Sequence, residues 1–132
     1  MIVATDNGAA FGASARLRSR IQLDAVRNSG SSAAGRLCVV ALLKTPPDAT
    51  RRVAFLISRR FSLLAVERNR ARRLFRESWR RLYGRLPKAI WISLIPRRGI
   101  KKALQPQVQS EIEHLLAKMD VPLAPEADGG VP

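Results

Sequence analysis

Residues Ala65–Tyr83 read AVERNRARRLFRESWRRLY, and this stretch organises the rest of the chain. Ala71, Leu74, Phe75, Ser78 and Leu82 recur in the i, i+3, i+4 rhythm of a helix with one buried stripe. Asn69, Arg73, Arg76 and Arg80 then fall on the opposite face, and Trp79 at the edge of the stripe, where partial burial is expected. Arg68, Arg72 and Arg76 form a second row, each four residues from the next. Like charges at that spacing weaken an isolated helix by a few tenths of a kcal/mol per pair, roughly. A helix selected for stability alone would alternate signs. A solvated charged face is the ordinary reading of such a surface. The one-signed spacing, relieved only by Glu67 and Glu77, favours a face that binds phosphate, because the planar guanidinium grips phosphate oxygens two at a time. Asn69 has two readings, a helix cap or a hydrogen-bonding group at the centre of the basic row.

Composition agrees. The chain has 132 residues, 46% of them hydrophobic, enough for one small domain with a modest core. A net charge of +14 and a pI near 11.7 attract polyanions, nucleic acid before membrane. Between Arg51 and Lys102 stand 17 Lys and Arg against Glu67 and Glu77 alone, so the partner meets the middle of the chain. No apolar run approaches the roughly 20 residues that span a bilayer, and MIVATDNGAAFGASA lacks the pattern of a signal peptide. A cytoplasmic location without membrane partner is expected. Cys38, inside LCVVALL, reads as a small core residue. With His114 as the one histidine it cannot build a zinc site.

Outward from the arginine helix the elements follow in order. Residues 1–15 read as a flexible tail, 16–120 as a single domain and 121–132 as a disordered end. A short helix is expected from Ser19 to Ser29, ended by Gly30, and SSAAG as a loop. Leu37–Leu43 and Arg52–Ser58 read as strands, joined through TPPDAT and paired as an antiparallel hairpin. In the second strand Val53, Phe55 and Ile57 share one face, Ala54, Leu56 and Ser58 the other. A third strand, Ala89–Ile95, precedes the basic turn PRRGIKK. A last helix, Gln107–Met119, buries Val108, Ile112, Leu115, Leu116 and Met119 and leaves His114 exposed. The order α-β-β-α-β-α implies an α+β two-layer sandwich, a small, mostly antiparallel sheet with about three helices. The arginine helix makes a β-α-β crossover, right-handed by the general rule.

RVAFLISRR followed by AVERNRARRLFRESWR resembles the protein component of bacterial ribonuclease P. The hallmark Arg-Asn-Arg core is Arg68-Asn69-Arg70, continued by Arg72, Arg73 and Arg76. Upstream LDAVRNSG and Arg36, and downstream IWISLIPRRG, extend the similarity over residues 17–118. The family has a left-handed crossover, so the resemblance implies an exception to the handedness rule. Two places depart from its pattern. Ser62 replaces a glycine in a connection, FSLL, one residue longer than usual. Leu23, Arg27 and Ala41 stand where aromatics commonly line a cleft.

The resemblance implies that an RNA subunit performs the cleavage, removing the 5′ leader of precursor tRNA with divalent metal (Mg) bound by that RNA. The chain itself would hold no cofactor or metal and supply no catalytic residue. Its partners would be ribonuclease P RNA and precursor tRNA, with no obligate protein partner. Implied RNA-binding residues are Arg59, Arg60, Arg68, Asn69, Arg70, Arg72, Arg73, Arg76 and Arg80. A groove for the leader would have Ala41, Ala54, Leu56 and Ser58 as floor, Leu23 and Arg27 as wall, and Arg59 and Arg60 as rim. The competing reading is that another element covers this face and makes it core. Catalysis by the chain alone is poorly supplied, since Glu67 and Glu77 stand about 80° apart around the helix and nearly three turns distant. A structural RNA-binding protein such as a ribosomal component, or a non-specific DNA-coating protein, would share the charge but not the motif.

Overall fold

The computed structural model describes residues 20–125; the 1–15 tail and the chain after residue 125 lie outside the described residues. Helix α1 spans Arg20–Ser29, strand β1 Ser31–Ala34, β2 Cys38–Leu43 and β3 Arg51–Phe55. Helix α2 covers Ala65–Leu82, β4 Ile90–Pro96 and α3 Gln105–Lys118, with 3₁₀ turns at Tyr83–Arg85 and Arg98–Lys102. The four strands form one sheet in the order β1-β2-β4-β3. Two of its pairings are antiparallel and one, β3 with β4, is parallel.

Two strand expectations are corrected. Ser31–Ala34 is an edge strand, registered from Ser31 opposite Leu42 to Ala34 opposite Val39, where a loop was expected. Serine and alanine give it no apolar alternation, so its place depends on the ladder offered by β2. The expected β2–β3 hairpin does not form either. β4 lies between them, pairing Cys38 with Pro96 on one side and Arg51 with Ile90 on the other. Both strands carry buried residues on both faces, and a central neighbour covers more of their surface than a hairpin partner at the sheet edge. The ladder of β3 ends sooner than expected: Leu56 N–H donates to the Leu94 carbonyl (2.9 Å), and the chain then turns at Ser58–Phe61.

The main core lies between one face of the sheet and helices α2 and α3. Cys38, Val40 and Leu42 of β2, Val53 and Phe55 of β3, and Ile90, Ile92 and Leu94 of β4 meet Phe75, Leu82, Val108, Ile112, Leu115 and Leu116. Phe55 and Phe75 pack with ring centroids 5.8 Å apart. Trp79, expected at the edge of the stripe, is buried with its ring edge-on to Tyr83 at 5.7 Å. The Tyr83 ring and the Arg51 guanidinium over it (4.8 Å) close that side of the helix. His114 is exposed and Cys38 fully buried, as expected. Burial, with the Glu111 carboxylate beside it, pushes the Cys38 thiol far up from its ordinary range. Val121 is buried, Leu123 packs on the core, and Ala124 N–H donates to the Arg85 carbonyl (2.8 Å), which extends the packed body past residue 120.

On the opposite face α1 covers only one end of the sheet. Leu23 and Val26 pack there with Leu43, Ala54 and Trp91. Gly30 lets α1 run straight into β1, since a Cβ at that position would run into the Leu42 carbonyl oxygen. The β2–β3 connection is organised by Asp48. Its carboxylate accepts from Thr50 N–H (3.1 Å), from Arg52 (2.7 Å) and from Trp91 Nε1 (3.1 Å). At the other end of β2, Glu111 of α3 accepts from the amides of Arg36 (3.0 Å), Leu37 (2.7 Å) and Cys38 (2.8 Å), fixing where the strand begins.

Candidate nucleic-acid interface

The arginine helix begins at Ala65, after a non-helical Leu64 whose side chain makes no cap. Asn69 is therefore one turn inside the helix, and the capping reading falls. Its side-chain oxygen instead accepts from Arg72 (2.6 Å). Ser62, where the resemblance expects glycine, organises the helix entry: its hydroxyl donates to Glu67 (2.5 Å) and accepts from Leu64 N–H (3.0 Å). Lys101 reaches the same Glu67 carboxylate at 3.3 Å. The Ser62 hydrogen bond, with Lys101, holds the Glu67 carboxyl below its usual range.

Of the arginines, Arg73 and Arg80 are exposed, and Arg68, Arg72 and Arg76 half-buried. Arg68 is anchored on the Ser62 carbonyl (2.9 Å), and Arg80 pairs with Glu77 (3.3 Å). Arg72 lies in the middle of the row. Burial, and then the charges of Arg68 and Arg76, lower its pKa from the ordinary arginine value, and its Nε is buried without an acceptor. Such a row is short of negative charge, and an anion laid along it would relieve the repulsion.

Arg70 behaves differently from its neighbours. Its guanidinium donates to the carbonyls of Ile100 (3.2 Å), Lys101 (3.1 Å) and Ala103 (2.6 Å). These bonds fasten α2 to the 3₁₀ turn after β4, and they occupy the fork that sequence reasoning assigned to RNA. Only the fold, which brings residue 100 beside residue 70, reveals this.

The open part of the second sheet face forms a groove in two sections. The first, of about 280 Å³, is lined by Leu23 and Arg27 of α1, Ser31 and Ser32 of β1, Ala41 and Ser93 on the floor, and Leu56 and Ile95 at its end. The second, of about 530 Å³, shares Leu56 and Ile95 and continues past Ser58, Phe61 and Gly99 between Arg36, Arg60, Arg97 and Arg98. The structure thus gathers Leu23, Arg27, Ala41, Leu56, Ser58 and Arg60 along one channel. Ala54 is not among them, because α1 and Trp91 cover it completely. Arg59 is exposed on the turn beside the channel and lines neither section. The face is therefore core under α1 and an open channel beyond it.

Arg36, Arg97 and Arg98 were missed as groove residues. Arg36 and Arg97 flank strands that the hairpin assumption kept apart. With β4 beside β2, Arg97 N–H bonds the Leu37 carbonyl (2.9 Å) and its guanidinium the Gly35 carbonyl (2.9 Å). Among the described residues, no three His, Cys, Asp or Glu side chains gather as a metal site, and no helix is long and apolar enough to cross a membrane.

The ribonuclease P family model matches residues 11–120. The ribonuclease P protein component of Symbiobacterium thermophilum is 34% identical over 103 residues, which cover 78% of this chain and 89% of that one. The corresponding component of Brevibacillus brevis is 30% identical over 106 residues, covering 80% and 83%. Among solved structures, the RNase P protein from Thermotoga maritima superposes with a TM-score of 0.66 at 27% identity, over 77% of this chain and 94% of that one. The Staphylococcus aureus RNase P protein shares the fold, with a TM-score of 0.68 at 24% identity over 80% and 94%. Motif, strand order and relatives of nearly full length agree: the chain belongs to the family of ribonuclease P protein components, subunits of a tRNA-processing ribonucleoprotein.

Proposed function

We propose that α2 docks this chain on ribonuclease P RNA and that the groove across the sheet holds the 5′ leader of precursor tRNA. The observation that carries the docking half is the row Arg68, Arg72, Arg76, half-buried like charges four residues apart on one flank of α2, the central one lowered in pKa by burial and then by its two neighbours. Phosphates along this row would offset its like charge, with Arg73 adding an exposed charge beside it. Arg70 stands apart from the row in this reading, since both of its terminal nitrogens are already bonded to backbone carbonyls.

The leader half is supported by the shape and charge of the channel. A single strand needs basic rims and room for unstacked bases, and the channel offers Arg27 at one end and Arg36, Arg60, Arg97 and Arg98 at the other. Small floor residues, Ala41 and Ser93, leave depth for a chain to lie. Arg27 can lay its guanidinium plane on a base where the family has aromatic rings. Divalent metal, Mg in this reading, belongs to the RNA subunit and supplies the activated water and charge stabilisation of phosphodiester cleavage. The chain contributes position: it holds one RNA by its backbone and the substrate by its leader.

The test compares affinity for precursor tRNA and for mature tRNA in the presence of the RNA subunit. Leader binding predicts a preference for the precursor that shrinks with Arg27→Ala and with Arg60→Ala. A full preference retained by both variants removes the groove from the account and leaves the docking helix.

A further inference from the structure

Just ahead of the arginine row, the chain exposes large apolar side chains that neither core uses. Leu63 is 78% exposed, Leu64 57% and Val66 72%. They sit in the longer FSLL connection and the first turn of α2, and the segment is well ordered by its polar bonds. Ser62 bonds both Leu64 and Glu67, and Arg68 clamps the Ser62 carbonyl. An ordered apolar surface held up to solvent beside a phosphate-binding row marks a contact.

The charge around it selects the occupant. Between Arg51 and Lys102 the chain carries 17 Lys and Arg against two acids, so a second copy laid on this face would bring like charge to like. Glu67, the acid nearest the patch, is engaged by Ser62 and Lys101 and offers little repulsion to a polyanion. From Leu64 to Arg68 is one helical turn, about 6 Å. A strand whose phosphates follow Arg68, Arg72 and Arg76 therefore continues over the leucines. Apolar side chains pack against base faces that have left the stack, as leucine wedges do in other nucleic-acid complexes.

We infer that Leu63 and Leu64 form an apolar platform for an unpaired base of the ribonuclease P RNA; Val66, two residues from Arg68, points away from the row and takes no part. The inference rests on the reading of α2 as the docking helix, and it adds a contact of different physics. Phosphate contacts release counterions and steepen the salt dependence of binding, whereas an apolar contact with a base does not.

The experiment measures binding of a ribonuclease P RNA transcript over a series of salt concentrations. It compares the wild-type chain, the double variant Leu63→Ser/Leu64→Ser and Arg72→Ala, with chemical probing of unpaired bases in each complex. Both leucines are exposed, and serine at the position of Leu64 is a better helix cap, so the double variant should melt as the wild type does. The platform predicts a roughly tenfold loss of affinity at unchanged salt slope, with at least one base that the wild type shields becoming reactive. Unchanged affinity in the double variant, while Arg72→Ala weakens binding and flattens the slope, overturns the platform and leaves the docking helix standing. A slope flattened by the leucine changes also overturns it, since the loop would then act through Arg68. If no variant changes RNA binding, the docking reading falls and the platform with it. Self-association of the wild-type chain without RNA, abolished in the double variant, would assign the patch to a second copy instead.

Discussion

Arg70 turns its guanidinium onto the carbonyls of Ile100, Lys101 and Ala103, while Arg72, two positions on, keeps a buried Nε with no acceptor. The two arginines should therefore fail in different ways. Removing Arg70 leaves three carbonyls without their charged donor, and Arg70→Ala should cost about 2 kcal/mol of folding stability. Once refolded, that variant should keep the salt slope of RNA binding. Arg72→Ala should leave stability within about 0.5 kcal/mol, because it gives up one exposed bond to Asn69 but relieves repulsion from Arg68 and Arg76. It should flatten the plot of log affinity against log salt by roughly one unit. Urea melts and a salt series on both variants check this. Equal effects on stability would mean that the helix does not divide its arginines between holding the fold and meeting RNA.

At the scale of elements, α2 is a core helix on one side and a charged surface on the other. Phe75 is completely buried against Phe55, so Phe75→Ala should cost about 3–5 kcal/mol. Arg73→Ala, on the exposed side, should change stability by no more than about 0.5 kcal/mol while weakening RNA binding. Thermal melts beside binding curves separate the two. This division was legible in the sequence because helical periodicity is local, and so were α1, α3 and the faces of β3. The pairing of strands was not. LCVVALL and RVAFLIS are each buried on both sides, and nothing in either says which neighbour covers it. β1 left no trace, because Ser31–Ala34 has no apolar alternation and joins the sheet through the backbone ladder of β2, with Ala33 alone packed on the core. The role of Arg70 and the covering of Ala54 depend on elements distant in sequence. Arg36 and Arg97 become neighbours only once β4 lies between β2 and β3.

For the whole molecule, the sheet separates two surfaces. One face, with α2 and α3, is closed by the core and presents its arginine helix outward. The other is closed by α1 at one end and left open as a channel at the other. Glu111 holds the start of β2, and Arg70 holds the turn that carries Arg98 next to Arg97, so the rim of the channel is braced from α3 and α2. The arrangement suits a protein that positions two RNAs and leaves the bond breaking to one of them. The most direct measurement is cleavage of precursor tRNA at low Mg²⁺ by the chain alone, by a ribonuclease P RNA alone, and by the two together. The account predicts no cleavage by the chain, weak cleavage by the RNA, and efficient removal of the 5′ leader by the pair, lost when Arg68, Arg72 and Arg76 are replaced together by alanine. Cleavage by the purified chain without RNA, or no gain on mixing the two, would contradict it.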